Sequence, residues 1–208
     1  MWPWEHVIVG YLAYSLFVHL WYRSSPGGLD TFAVVVGSVL PDLIDKPLAW
    51  QFGVFESGYA LGHSIFFAIP LSIAVGLFAR RVGRSRAGIA FGIGYLLHLP
   101  ADVIDGYVRG DVWNPAILLW PVERGATVGH DHDFLSAVGH HFDQYHAELT
   151  ASDPSTYVLV QIGLTVFVFF LWLADGAPML REPLVVGGRE LTRLVDGAGE
   201  PVNEDRQK

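Results

Sequence analysis

His98 and Asp102 stand four residues apart and Asp105 follows three later, so on a helix the three form one stripe. Asp42 and Asp45, three apart, share a face in the same way. His63 opens an apolar run, and His6 lies at the start of another. Imidazole and carboxylate together suit a divalent cation, zinc first, with manganese and iron as further candidates. Gathered in a low-dielectric recess, such groups repel one another or take up protons unless a cation supplies the counter-charge. An open position on that ion acidifies a bound water to a pKa near 7 and so provides a hydroxide nucleophile. The candidate ligands are therefore Asp42, Asp45, His63, His98, Asp102 and His6, with His98 and Asp102 as the catalytic pair. Either Asp42 or Asp45 can be the nearer ligand.

The elements that must position these groups are apolar. Five stretches stand out, over residues 4–22, 31–44, 63–79, 87–104 and 157–174. A spanning helix needs roughly 20 apolar residues, within about 17–25. The first, third and fifth qualify directly, and the other two qualify if a bundle shelters their polar ends. The expected fold is all-α: a multi-pass transmembrane bundle of about five spans, with a four-helix core carrying the site. Residues 1–174 would form this domain, with an external loop over 106–156 and a polar tail over 175–208. The first stretch lacks the basic start and small-residue cleavage pattern of a signal peptide, so it is expected to be retained.

Composition agrees with a membrane setting. The 208 residues are 51% hydrophobic and 16% charged, with a mean hydropathy of +0.36, whereas soluble domains carry about 25% charged residues. A net charge of −8 argues against a nucleic-acid partner bound through a basic surface. The absence of cysteine excludes a disulfide scaffold, a zinc ribbon and a thiol nucleophile. No Gly-x-Ser-x-Gly occurs, which leaves a serine-esterase mechanism without support.

Arg80, Arg81, Arg84 and Arg86 fill the turn between the third and fourth stretches, and short basic loops stay in the cytoplasm. Alternation from there puts the N-terminus outside and the C-terminal tail in the cytoplasm. Of the 13 basic residues, Arg23, Arg181, Arg189, Arg193, Arg206 and Lys208 then join those four inside, while Lys46, Arg109 and Arg124 lie outside. Ionisable groups within spans are costly in lipid and functional by default, and His6, Asp42, Asp45, His63, His98, Asp102 and Asp105 all fall toward the external end. A proton or ion pathway would instead spread its carboxylates through the membrane. The competing reading for His63-Ser64 is a helix cap, and for His19 an interfacial group. Histidine-rich segments at 129–134 and 139–148 suit either metal binding or simple solvation.

Taken in order, several short motifs resemble the membrane-bound metal-dependent hydrolases of the YdjM-like group. They are His6, Leu40-Pro41-Asp42-Leu43-Ile44-Asp45, Gly62-His63-Ser64, Gly94-Tyr95-Leu96-Leu97-His98 with Asp102, and Leu118-Leu119-Trp120-Pro121. The resemblance covers residues 4–122. It implies a distant likeness to zinc-dependent phospholipase C and P1-type nucleases, with His98, Asp102, His63 and Asp42 or Asp45 as the matching ligands. The expected function is cleavage of a phosphoester, lipid-linked in view of the recess, by a metal-held hydroxide near the external leaflet of the cell membrane. The alternative is a non-enzymatic metal-binding carrier or scaffold. The sequence sets no oligomeric state.

Overall fold

A computed structural model describes residues 1–110, 112–123, 134–151 and 153–180. These residues form α1 (Pro3–Tyr22), α2 (Gly28–Trp50), α3 (Ile65–Arg81), α4 (Ser85–Gly110), a 3-10 turn (Pro115–Leu118), α5 (Phe134–Leu149) and α6 (Thr156–Ala174). No strand occurs among them. The polar tail beyond Leu180 and the histidines at 130 and 132 lie outside the described residues.

Helix boundaries follow local chemistry. Pro3 occupies the first turn of α1, where its missing N–H costs nothing. Ser64 caps α3 by accepting from the Phe66 amide, and Ser155 caps α6 by accepting from the Val158 amide. Between α3 and α4 the chain reverses through Gly83, whose φ of 73° lies in the left-handed region. α2 runs through both Pro41 and Pro47 to Trp50, well past the end of its apolar stretch. α4 likewise continues to Gly110. His63 sits two residues ahead of α3, so the site draws on three helices and a connecting segment, not on four helices.

α4 is the central helix, packed against α1, α2 and α3, while α6 lies at the periphery on α1. One apolar cluster joins Tyr11, Tyr14, Val18, Val34, Ala90 and Val168. A second joins Ala68, Phe91, Tyr95 and Leu99. Outward-facing positions are apolar as well: Phe66, Ile69, Ile73 and Leu77 on α3, and Leu159, Ile162, Val166 and Phe170 on α6, are exposed. Apolar surface on that scale marks contact with lipid or another apolar phase.

Among the described residues, α4 and α6 are the helices long and apolar enough to cross a membrane on their own, at mean hydropathies of 1.5 and 2.2. The five crossings expected from sequence are thus not matched by five self-sufficient spans. α3 has only 17 residues, and α2 carries Asp30, Asp42, Asp45 and Lys46. α1 brings Glu5 and His6 into its first turns, both buried.

The approach of α2 to α4 sets the site. A Cβ added to Gly94 would stand 2.4 Å from the Val34 carbonyl oxygen and 2.9 Å from the Ser38 amide nitrogen. Only a residue without a side chain lets these backbones meet there. Gly94→Val is therefore expected to force the helices apart and cost about 1–3 kcal/mol, as overpacking does. A clear fall in the thermal unfolding midpoint of the detergent-solubilised protein checks this; an unchanged midpoint would contradict the close contact.

Candidate metal centre

The spacing of Asp42 and Asp45 puts both at the same end of α2, yet their carboxylates face different partners. Asp45, fully buried, turns to the segment before α3. It accepts hydrogen bonds from the amides of Ala60 at 2.7 Å, Gly62 at 2.8 Å and His63 at 3.1 Å, and from His63 Nδ1 at 2.8 Å. Gly62 fits beneath α2 because a Cβ there would meet the Pro41 carbonyl oxygen at 2.7 Å. The Tyr95 hydroxyl donates to the Gly62 carbonyl at 2.7 Å, tying the same segment to α4.

These anchors decide which imidazole nitrogen carries the proton. His63 Nδ1 donates to the Asp45 carboxylate, so Nε2 of the neutral ring keeps its lone pair. His98 Nδ1 lies 2.7 Å from the Ser38 carbonyl oxygen, which can only accept, so His98 Nε2 also keeps its lone pair. The two Nε2 atoms face each other at 3.1 Å. Asp102 Oδ2 stands 3.1 Å from the first and 3.3 Å from the second. Asp42 Oδ1 stands 3.5 and 3.8 Å from them.

With both rings neutral, as metal ligation requires, four acceptor atoms converge here. Asp42, His63, His98 and Asp102 are all buried, and one ligand atom from each lies within 4.8 Å of the others. Ligands about 2.0–2.2 Å from one tetrahedral ion stand about 3.3–3.6 Å apart, close to the separations found. The donor set fits a divalent cation in number, chemistry and spacing. Lys46, one turn after Asp42 and partly exposed, holds the other Asp42 oxygen at 2.6 Å.

His6 lies against this group, its ring stacked on that of His98 with centroids 3.6 Å apart. Its Nε2 is 3.1 Å from Asp102 Oδ1. The Met1 ammonium lies 3.1 Å from that same oxygen and 2.8 Å from Asp105 Oδ2. Burial works to lower the pKa of this amine, but the Asp102 and Asp105 carboxylates outweigh it and hold it above the ordinary value.

An adjoining cavity of about 220 Å3 is lined by Phe55, Glu56, Tyr59, Ala60, Trp120 and Pro121, among others. Tyr59 stands edge-on to His63 with ring centroids 4.8 Å apart. Trp120 packs against Phe55, and its carbonyl accepts from the Ser64 hydroxyl. The Leu-Leu-Trp-Pro motif therefore braces the segment that presents His63.

A helical bundle with apolar outer faces and a buried imidazole–carboxylate cluster at one end is a membrane protein with a candidate metal centre. The chain belongs to the YdjM inner membrane protein family, whose family model matches residues 1–177. It has no match among the curated proteins and none among the solved structures.

Of the six candidate ligands, Asp42, His63, His98 and Asp102 form the converging set, Asp45 positions His63 from behind, and His6 flanks Asp102. His140 and His146 of the histidine-rich segments lie exposed on α5. His19 stands at the far end of the bundle, 3.3 Å from Asp175. Sequence reading missed Lys46, signalled by its i+4 spacing from Asp42, and Tyr157, whose hydroxyl lies 2.7 Å from Asp105 Oδ1. The backbone acceptor at Ser38 had no signal at all.

Asp45→Asn removes the negative acceptor that fixes the His63 ring while preserving its size. It is expected to weaken Zn2+ binding by about 10–100-fold, the usual cost of losing a partner behind a ligand. Calorimetric titration of the solubilised protein measures this, and wild-type affinity in the variant would show that Asp45 does not orient the ligand.

Proposed function

We propose that this chain is an integral-membrane metal-dependent hydrolase that cleaves a phosphoester, lipid-linked in form, near the external leaflet. The observation that carries the reading is the buried convergence of His63 Nε2, His98 Nε2, Asp42 and Asp102, the two imidazole nitrogens 3.1 Å apart, a ligand set that suits a cation. When bound, a divalent ion supplies Lewis acidity and a water acidified into the neutral range.

The chain's own residues divide the remaining work. His98 and Asp102, with Asp42 and His63, hold the ion; Ser38 and Asp45 keep both imidazoles in the liganding tautomer. Lys46 braces Asp42 and, being partly exposed, offers a positive charge to a phosphoryl oxygen. The aromatic cavity beside Tyr59 gives room for part of a substrate, and the burial of the cluster keeps bulk water out. The likeness to zinc-dependent phospholipase C and P1-type nucleases belongs to this proposal.

The topology is part of the same reading. α1, α2, α3, α4 and α6 cross the membrane together, the polar ends of the shorter helices being sheltered by the bundle. The arginine turn at 80–86 lies in the cytoplasm, which puts the N-terminus and the metal centre outside and the tail inside. α5, with Leu135, Val138 and Phe142 exposed at helical spacing, rests on the outer interface.

One observation favours a second reading, a metal-binding carrier or scaffold. Four protein ligands complete a tetrahedral shell, as in structural zinc sites. Manganese or iron, with larger shells, would keep open positions. The purified protein should bind metal stoichiometrically and cleave phosphodiester or phospholipid substrates in a chelator-sensitive way. His98→Ala and Asp102→Ala should each lower turnover by more than about 100-fold, beyond the loss caused by a supporting partner. Stoichiometric metal without turnover across such a panel would favour the carrier. Metal content unchanged in both variants would overturn the site.

Acidification provides a further check. Ligating imidazoles must be neutral, so protons compete with the ion and occupancy should fall as the solution is acidified. Occupancy indifferent to acidification would argue against histidine ligation.

A further inference from the structure

Between α1, α3 and α4 lies a groove of about 900 Å3 that opens to the outside of the bundle. It exists because side chains are small or missing there: Ala13, Ser72, Gly76, Gly88 and Gly92 all line it. A Cβ added to Gly76 would meet no atom within 4 Å, and one on Gly92 would meet only Ser72 Cβ, at 3.9 Å. Ile69, Ile73 and Leu77 of α3, which also line it, are exposed. The volume is within the usual range of ligand sites, about 300–1,000 Å3.

One end of the groove is polar, at Arg80 and Ser85 on either side of the arginine turn. We propose that the groove seats the tail of an anionic phospholipid, whose headgroup phosphate is held between Arg80 and the first amides of α4. The headgroup end lies at the opposite end of α3 and α4 from His63 and Asp102, so the inference does not depend on the metal centre.

Charge complementarity selects this occupant. Residues 80–86 include Arg80, Arg81, Arg84 and Arg86 and no acid. Arg86 is engaged by Asp30 at 3.1 Å. Arg80, Arg81 and Arg84 are exposed, and among the described residues only Lys46, Arg86 and Arg109 have side-chain ion pairs to a carboxylate from a lysine or arginine. α4 begins at Ser85, so its first amides lack partners within the helix and, with the helix dipole, favour a phosphate.

Ser72 is an independent mark of a ligand. It is 9% exposed, its hydroxyl has no hydrogen-bond partner, and it lines the groove. A buried hydroxyl left unpaired is costly. It precedes Arg80 by two turns of α3, a rise of about 12 Å. The glycerol-linkage oxygens of a lipid lie below its phosphate and accept hydrogen bonds, which bare hydrocarbon cannot do. A second copy of the chain suits the groove less well. In a pair sharing it about a twofold axis normal to the membrane, the unpaired arginines of the two turns would come together, like charge on like.

The full-length protein in detergent, offered phosphatidylglycerol and phosphatidylcholine with identical tails, tests this by native mass spectrometry. Wild type should retain one lipid per chain and prefer phosphatidylglycerol. Arg80→Gln should cut that preference about fivefold, the contribution of one arginine beside an anionic surface. Gly76→Leu, which grows into open space, should lose both lipids together while keeping the wild-type unfolding midpoint in lipid-free detergent. Equal binding of the two lipids by wild type, or no bound lipid, would overturn the inference. So would a Gly76→Leu protein that binds lipid as wild type does. A lipid-free wild-type dimer that Gly76→Leu splits into monomers would give the groove to a second copy and overturn it too.

Discussion

Two buried imidazoles whose Nε2 atoms face each other at 3.1 Å are the constraint on which the rest of this structure depends. Each ring is committed from behind at Nδ1, His63 by a carboxylate and His98 by a backbone carbonyl, which leaves Nε2 of both rings facing inward. Asp42 and Asp102 then add negative charge beside them. Buried charge without a partner costs several kcal/mol even after relaxation. A divalent ion is one occupant that all four ligand atoms could hold at once.

Much of the sequence serves that convergence. The Gly94 contact draws α2 and α4 together, which brings the Leu-Pro-Asp turn of one beside the His-x-x-x-Asp stripe of the other. The segment before α3 has no regular structure to hold it, and it is held instead by Asp45, the Tyr95 hydroxyl and the Trp120 carbonyl. At the opposite end, Asp175 accepts from Tyr11 and Ser15, and Arg86 pairs with Asp30. Both ends of the bundle are therefore cross-linked by polar contacts, with apolar packing between.

What could be read from sequence was whatever depends on period and spacing. The stripe of His98, Asp102 and Asp105 follows from helical geometry, and the grouping of ionisable residues at one end follows from alternating helix direction. The all-helical fold was legible on the same grounds, and the family through the resemblance of its short motifs taken in order. Other features were not. Whether Asp42 or Asp45 faces the cluster depends on which way α4 and the 51–64 segment approach α2, a tertiary fact without local signature. His63 reads as the first residue of a helix because the apolar run begins there, but Ser64 takes the cap and leaves His63 in the connection. Of the five expected spans, only α4 and α6 qualify by their own length and hydropathy among the described residues. Short or charged helices lose their polar ends into a bundle, and a chain scanned one helix at a time cannot show that shelter.

The central claim is that the opposed imidazoles share an ion, and X-ray absorption at the edge of the bound metal addresses it most directly. The account predicts a nearest shell containing two imidazole nitrogens with carboxylate oxygens, and loss of the imidazole multiple-scattering signal when His63 and His98 are both replaced by glutamine. A shell built of oxygen alone, or one indifferent to that double replacement, would contradict it.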